Sequence, residues 1–462
     1  MILGIDQGTT GTTCLVVDDG LQVLGRAHVE LPQYFPRPGW VEHDPEEIWQ
    51  SVLAASQTAL ADAGCAADDL EAIGIANQRE TTVLWERTTG RAVAPAIVWQ
   101  DRRTAARCRE LDPDLIRGRT GLVPDPYFSA TKLEWLLREH PAGGLAFGTV
   151  DSWLLWKLTG GEAHVTDRTN AARTMLCSLE TLDWDGELLE LFGVERSLLP
   201  RIVPSDELVG EGELLGARIP VRGIAGDQQA ALYGQGCHAA GAGKATYGTG
   251  TFLLVHSGSD ATPPPHGLLK TAAVDGYALE GAVLAGGAAL QWLRDGLGVL
   301  PDIAESAALA RSVDSTEGVT FVPALTGLGS PWWDAAARGL VAGITRGTTR
   351  AHLIRAALEG IAHQVVDVVE ALPEPPVTLR VDGGGTTNTF LMQFQADLLG
   401  VPVEVAAEQE TTALGAAALA AGCGTRGAVG AVYEPQRSRD EVALLRAGWQ
   451  DALGRAKTGN LA

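Results

Sequence analysis

Three turns in this chain combine residue types that can hold a chain of phosphates. Asp6-Gln-Gly-Thr-Thr10 follows a short apolar run, Tyr247-Gly-Thr-Gly-Thr251 lies between two more, and Val381-Asp-Gly-Gly-Gly385 ends a third before a helical segment. Small residues expose backbone N–H and hydroxyl donors, and glycines such as Gly8 and Gly11 let a phosphate oxygen approach the main chain. A glycine-rich strand-to-helix turn also offers a base an unobstructed surface and phosphates a helix N-terminus. One such turn alone is as readily an ordinary hairpin connection. Three of them in one chain point to a nucleotide.

Other chemistries find less support. Gly241-Ala-Gly-Lys-Ala245 imitates a P-loop, but His238 takes the place of its first glycine, and Ala245 stands where Ser or Thr should meet magnesium. No G-x-G-x-x-G follows a strand in the dinucleotide-binding arrangement. The cysteines, Cys14, Cys65, Cys108, Cys177, Cys237 and Cys423, form no C-x-x-C pair and read as small buried hydrophobes, not as a zinc site or disulfide framework.

The elements that must position the turns follow from pattern. Ile2–Asp6 and Thr12–Asp18 predict a hairpin, and Lys244–Tyr247 with Thr251–Val255 predict a second one about half the chain later. Two halves of similar design follow, with the boundary near Gly241. Asp44-Pro-Glu-Glu47 predicts a helix start, with Asp44 as N-cap, Pro45 in the first turn and Glu47 completing a capping box, before an apolar-periodic run to Ala63. Glu71–Ala76 reads as a strand ending at Asn77–Glu80. In the second half, Ala351–Ala371 and Phe390–Leu399 read as helices, and Val377–Asp382 and Val401–Val405 as strands. The expected class is α/β.

Composition narrows the function further. A chain of 462 residues exceeds one ordinary core, so two domains with a ligand-binding cleft between them are expected. A formal charge of −22 argues against nucleic acid, and any anionic ligand needs magnesium and backbone donors to bind. No apolar run approaches the roughly 20 residues of a membrane span, and no basic leader precedes Ile2, so a cytoplasmic protein is expected.

Several blocks share their order with a known family: Pro38-Gly-Trp-Val-Glu-His-Asp-Pro45, Asn77-Gln-Arg-Glu-Thr81, Ile97-Val-Trp-Gln100, Asp125-Pro-Tyr-Phe128, Gly226-Asp-Gln-Gln229 and Ala324-Leu-Thr-Gly-Leu-Gly329, with the broader stretches Tyr127–Glu139 and Gly339–Glu359. In these the chain resembles the FGGY carbohydrate kinases of the actin/Hsp70-like ATPase superfamily, and within them the glycerol-phosphorylating branch. The resemblance implies two actin/Hsp70-like (ribonuclease H-like) domains, a polyol-binding one at 1–240 and a nucleotide-binding one at 241–462. It implies ATP and Mg2+ as cofactors, glycerol as substrate, sn-glycerol 3-phosphate as product, and a homodimer or homotetramer.

By position, it assigns Arg79, Glu80, Tyr127, Asp227 and Gln228 to the glycerol hydroxyls, and Trp99 and Phe252 to its carbon edge. Thr9, Thr10, Gly11, Thr249, Gly287, Gln291, Gly384 and Asn388 fall to the nucleotide, with Asp6 near the metal. Each has a plainer reading: Arg79–Glu80 as a surface ion pair, Trp99 and Phe252 as core, Asp227 as a helix N-cap. Two departures stand out. Thr13 replaces the arginine usual after the first turn, and Gly210–Pro220, poorer in glycine than the family's effector loop, reads as a surface connection.

Phosphoryl transfer asks for in-line positioning and charge stabilisation, and Asp227 is the expected general base toward a terminal hydroxyl. The rival readings are a family member acting on another polyol or sugar, and a catalytically silent ATP-binding scaffold.

Overall fold

The two glycine-and-threonine hairpins each seed a sheet. This computed structural model describes residues 1–141, 143–265, 267–425 and 427–458. In the first half, strands β1 (Ile2–Gln7), β2 (Gly11–Val17), β3 (Val23–Glu30), β4 (Ala72–Asn77), β5 (Leu208–Leu214) and β6 (Ala217–Gly226) form one sheet in the order β5-β6-β4-β1-β2-β3. The β1–β2–β3 run is antiparallel, whereas β4 lies parallel to β1 and β6 parallel to β4. Parallel pairing needs crossovers, and the helix α1 (Pro45–Ala63) supplies one of them.

The second half repeats the plan. Strands β7 (Gly243–Tyr247), β8 (Thr251–His256), β9 (Leu269–Ala272), β10 (Tyr277–Val283), β11 (Leu379–Asp382), β12 (Val403–Ala406) and β13 (Val429–Tyr433) run in the order β9-β10-β8-β7-β11-β12-β13. An antiparallel β10–β8–β7 run again continues into parallel strands, β11 and β12. The duplication read from the two hairpins is therefore a duplication of whole sheets.

Alternate residues of β2 and β3 face α1: Thr12 Oγ1 bonds Ser51 Oγ at 2.6 Å, and a Cβ on Gly25 would lie 2.4 Å from the Ala59 carbonyl oxygen. The opposite face is covered from the other half. Helix α2 (Asp227–Gly234) packs on α4 (Thr411–Ala421), the latter after α3 (Arg350–Glu370) in the chain, and Ala413 and Ala417 of α4 cluster with Leu15 and Ile2 of the first sheet. Small residues permit this approach, since Gly415 would place a Cβ 2.0 Å from the Ala230 carbonyl oxygen.

Two local expectations need correction. Asp44 does cap α1, accepting from Glu46 N at 2.8 Å, but Glu47 completes no capping box and accepts the Tyr34 hydroxyl instead, at 2.8 Å. Gly210–Pro220 is no loose connection: it belongs to the β5–β6 pair, closed by Leu215 and Gly216 at φ 52° and 86°. Its Arg218 is paired with Glu211 at 3.2 Å on the exposed sheet edge. Among the described residues no helix is long and apolar enough to cross a membrane.

Candidate active site

The end of β4 builds one wall of the cleft between the sheets. Past Asn77 the chain turns sharply: Thr81 N donates to the Arg79 carbonyl at 2.7 Å, and Glu80 takes φ 60°, a left-handed conformation costing a side-chain-bearing residue on the order of 1–3 kcal/mol. Both side chains are sent inward. Arg79 is 3% exposed and Glu80 1%, which removes the surface ion pair as a reading.

Their partners are not chiefly each other. Arg79 forks onto Glu280 of β10, Nη1 to Oε2 at 2.7 Å and Nη2 to Oε1 at 2.9 Å, and directs Nε to Asp227 Oδ1 at 3.1 Å; Glu80 Oε1 lies 3.9 Å away. Glu80 is held by Arg173, whose Nε donates at 2.6 Å and whose Nη2 reaches Glu280 at 3.1 Å. Burial pushes Glu80 up, and the pull of Arg79 and Arg173 does not fully restore it. Burial opposes ionisation of Glu280 too, but Arg173 and Arg79 outweigh it and hold that carboxyl below its ordinary value. The Tyr127 hydroxyl accepts from Arg79 Nη2 at 3.3 Å.

Asp227 opens α2 as its first residue, with Gly226 at the N-cap, so it is not the cap itself. Its Oδ1 accepts Gln228 N at 2.7 Å, and Oδ2 accepts the Gln228 amide at 3.2 Å. Gln228 Oε1 in turn accepts from Lys244 Nζ at 2.5 Å, and Lys244 also reaches Thr246 Oγ1 at 2.6 Å. The lysine of the false P-loop is thus a buried strand residue that orients Gln228. Opposite stands an aromatic wall: Trp99 meets Tyr127 and Phe252 edge-on at 5.5 and 5.9 Å, and its indole N–H donates to Thr9 Oγ1 at 2.8 Å.

Arg79, Glu80, Trp99, Tyr127, Asp227, Gln228 and Phe252 line one cleft of about 1000 Å³ with Thr9, Thr10, Thr249 and Gln291. The remaining expected nucleotide residues sit differently. Gly287 N donates to the Gly248 carbonyl at 2.8 Å, and a Cβ there would stand 2.9 Å from that oxygen, so this glycine seats the second turn on the short helix Gly287–Gln291. Asn388 caps the helix Thr389–Leu399 through Leu391 N at 2.9 Å and bonds Ser306 at 3.0 Å. Gly384 faces open space; it is Gly383 and Gly385 that press on Tyr247, at 2.7 and 2.8 Å for an added Cβ. Gly11 begins β2 beneath His28.

Asp6 is the penultimate residue of β1, within electrostatic reach of the cleft residue Asp227. Burial, then the charges of Asp227, Glu410 and Asp382, raise it well above the carboxylate range. Its Oδ1 is buried without a hydrogen-bond partner among the described residues, as is Asp382 Oδ1. Carboxylates gathered with unpaired oxygens fit a hard divalent cation such as Mg2+. Among the described residues no three acidic, His or Cys groups could hold a metal by themselves.

Sequence reading missed Glu280, Arg173 and Lys244. The signal for Glu280 was faint but present: it is the only charge in the otherwise apolar or neutral strand Tyr277–Val283, every residue of which is buried.

Two similar sheet domains around a cleft with a buried arginine, an aspartate and two hydroxyl-rich turns define a sugar-kinase architecture. The chain belongs to the FGGY family of carbohydrate kinases: the family's N-terminal domain matches residues 1–234 and its C-terminal domain residues 243–422. It is 50% identical to a glycerol kinase of Deinococcus radiodurans, over 99% of this chain and 97% of that one, and 48% identical to glycerol kinase 2 of Thermotoga maritima, over 98% of each. Among solved structures, Plasmodium falciparum glycerol kinase with ADP superposes with a TM-score of 0.88 at 32% identity, covering 98% of both chains. A xylulose kinase from Rhodospirillum rubrum gives 0.82 at 25%, over 98% of this chain and 97% of that one.

Proposed function

We propose that this chain transfers the γ-phosphoryl group of ATP to glycerol, giving sn-glycerol 3-phosphate, with the first half holding the polyol and the second much of the nucleotide. The observation that carries the reading is the Arg79–Asp227 contact beside the Trp99–Tyr127–Phe252 wall: hydrogen-bonding groups on one side and ring edges on the other suit a three-carbon triol. Relatives about half identical over nearly the full chain bear the name glycerol kinase, which supports the same substrate.

Asp227 is the general base. Arg79 Nε and Gln228 N fix Oδ1, leaving the carboxylate partly exposed at the cleft to accept the proton of a terminal hydroxyl as its oxygen attacks phosphorus. Arg79, Tyr127 and Gln228 hold the other hydroxyls, while Trp99 and Phe252 cover the C–H edge and keep water away. Asp6 and Asp382 would hold Mg2+, which supplies charge neutralisation at the phosphates when bound. Thr9, Thr10 and Thr249 place hydroxyls along the cleft where the phosphates must lie.

The test is product identity. Purified protein with ATP, magnesium and glycerol should release ADP and a phosphomonoester that a stereospecific sn-glycerol-3-phosphate dehydrogenase oxidises fully. Phosphate released to water, or an ester that this dehydrogenase ignores, contradicts the proposal.

A further inference from the structure

The face of the first sheet that carries Asp6 bears, on its edge strand, an exposed side chain with no role in the scheme above. His28 of β3 pairs in register with Thr13 of β2, which pairs with Asp6 of β1, so the three stand in a row on one face. The ring is held in two ways. Thr13 Oγ1 lies 3.0 Å from His28 Nδ1, and a Cβ on Gly11 would lie 2.6 Å from both Cε1 and Nε2. Gly11 is not among the glycines with positive φ; its missing side chain makes room for the imidazole and for the Val29 carbonyl oxygen, 2.7 Å from the same Cβ.

The neighbouring cationic side chains are already engaged: Arg26 by Glu408 at 2.9 Å, Arg79 by Glu280 and Asp227, and Lys244 by Gln228 and Thr246. His28 Nε2 has no hydrogen-bond partner among the described residues. When the Thr13 hydroxyl donates to Nδ1, the ring proton resides on Nε2, giving an uncommitted N–H over the end of the Gly8–Gly11 turn.

We infer that His28, oriented by Thr13 and admitted by Gly11, is a phosphate-binding residue that donates its Nε2–H to an oxygen of the nucleotide held at the first turn. This rests on the reading of the cleft as an ATP site. It gives a physical sense to the pairing of Gly11 with Thr13: a larger residue at 11 would displace the ring, and losing the hydroxyl at 13 would release it.

The experiment compares wild type with His28→Ala, His28→Gln and Thr13→Val. Calorimetric titration of MgADP reads nucleotide affinity without any assumption about the phosphoryl acceptor, and steady-state kinetics read KM for ATP and for glycerol separately. His28→Ala should weaken MgADP binding and raise KM for ATP by about tenfold, the worth of one hydrogen bond to a charged group, with KM for glycerol within about twofold. His28→Gln, which retains an N–H donor, should recover part of the loss, and Thr13→Val should show a smaller loss in the same sense. Unchanged MgADP affinity in His28→Ala overturns the inference, as does a parallel loss of thermal stability and glycerol KM with no rescue by Gln. A wild type that binds MgADP but does not phosphorylate glycerol would refute the proposed substrate and leave the His28 comparison intact.

Discussion

The polyol side and the phosphate side of the cleft solve the problem of buried charge in opposite ways. Around Arg79, each charge meets a partner from the chain: two arginines, Arg79 and Arg173, are shared among Glu80, Glu280 and Asp227, and Glu280 is held below its ordinary value in full burial. Around Asp6, like charges are gathered, Asp6 is raised well above the carboxylate range, and two carboxylate oxygens lack any partner among the described residues. The first side is nearly closed within the chain, with Arg173 Nη1 as its one buried atom lacking a hydrogen-bond partner among the described residues, which suits a neutral substrate that brings only hydroxyls. The second side lacks positive charge, which on the proposed reading a cation bound with the nucleotide would supply.

The largest effect should come where the two sides meet. Asp227→Asn keeps the contact geometry but removes the proton acceptor, and should lower kcat by about 10²–10⁴ with nucleotide affinity little changed. A near-normal kcat in single-turnover measurement would take the base role from Asp227. Glu280→Gln attacks the paired side from the second sheet, leaving two buried guanidiniums short of a carboxylate. It should cost about 3–5 kcal/mol of stability, the scale for breaking a buried ion pair, read as the urea midpoint at constant m. A midpoint like that of wild type would mean that Glu80 and Asp227 alone suffice for the arginines.

Arg79→Ala should weaken kcat/KM for glycerol by about 1.5–3 kcal/mol. The carboxylate it strands is Asp227, because Arg173 stays with Glu80 at 2.6 Å and with Glu280 at 3.1 Å. Equal losses for ATP and glycerol would show a general collapse of the cleft in place of a lost polyol contact.

A smaller effect tests whether the logic of unpaired carboxylates is confined to the cleft. Asp151 begins the buried helix Val150–Leu158, and burial, then the charge of Asp167, pushes it up to about 6 from 3.8 despite hydroxyl donors from Thr149 and Thr166. A raised folded value favours folding below the unfolded value, and that contribution is lost as pH rises through about 6. Asp151→Asn stays neutral throughout, so its stability relative to wild type should improve by on the order of 1–3 kcal/mol between pH 4 and 7, approximately, in thermal melts. A constant difference across that range would contradict the shift.

The same contrast explains what could be read from sequence. The hairpins, the repeated halves and the strand end at Asn77–Glu80 announce themselves because they depend on local spacing, with Gly8 and Gly248 needing only their own turns; Arg79, Glu80 and Asp227 were marked as site residues by the family resemblance. The partners Glu280 and Arg173 could not be found this way, since the first lies about 200 positions from Arg79 and the pairing exists only once the sheets meet. Lys244 was visible as a strand residue and as the lysine of a rejected P-loop look-alike, but its bond to Gln228 exists only once that strand meets α2. Gly210–Pro220 looked like a connection because Gly and Glu are poor strand formers; its pairing is set by β6 beside it. Asn388 has the right residue type for a nucleotide contact, and its side chain also caps a helix through Leu391 N, a role the resemblance did not imply.

The central claim is a cleft shaped for a three-carbon triol and for transfer to it alone. Its most direct test is ADP release measured with the wild-type protein over glycerol, erythritol, xylitol, D-xylulose, D-gluconate and water at saturating MgATP. The account predicts kcat/KM for glycerol above every longer acceptor by at least about 100-fold, since a chain extended past the third carbon must displace Trp99 or Phe252, and a water reaction slower still. Comparable rates with xylulose or gluconate, or ADP release that glycerol does not stimulate, would contradict it.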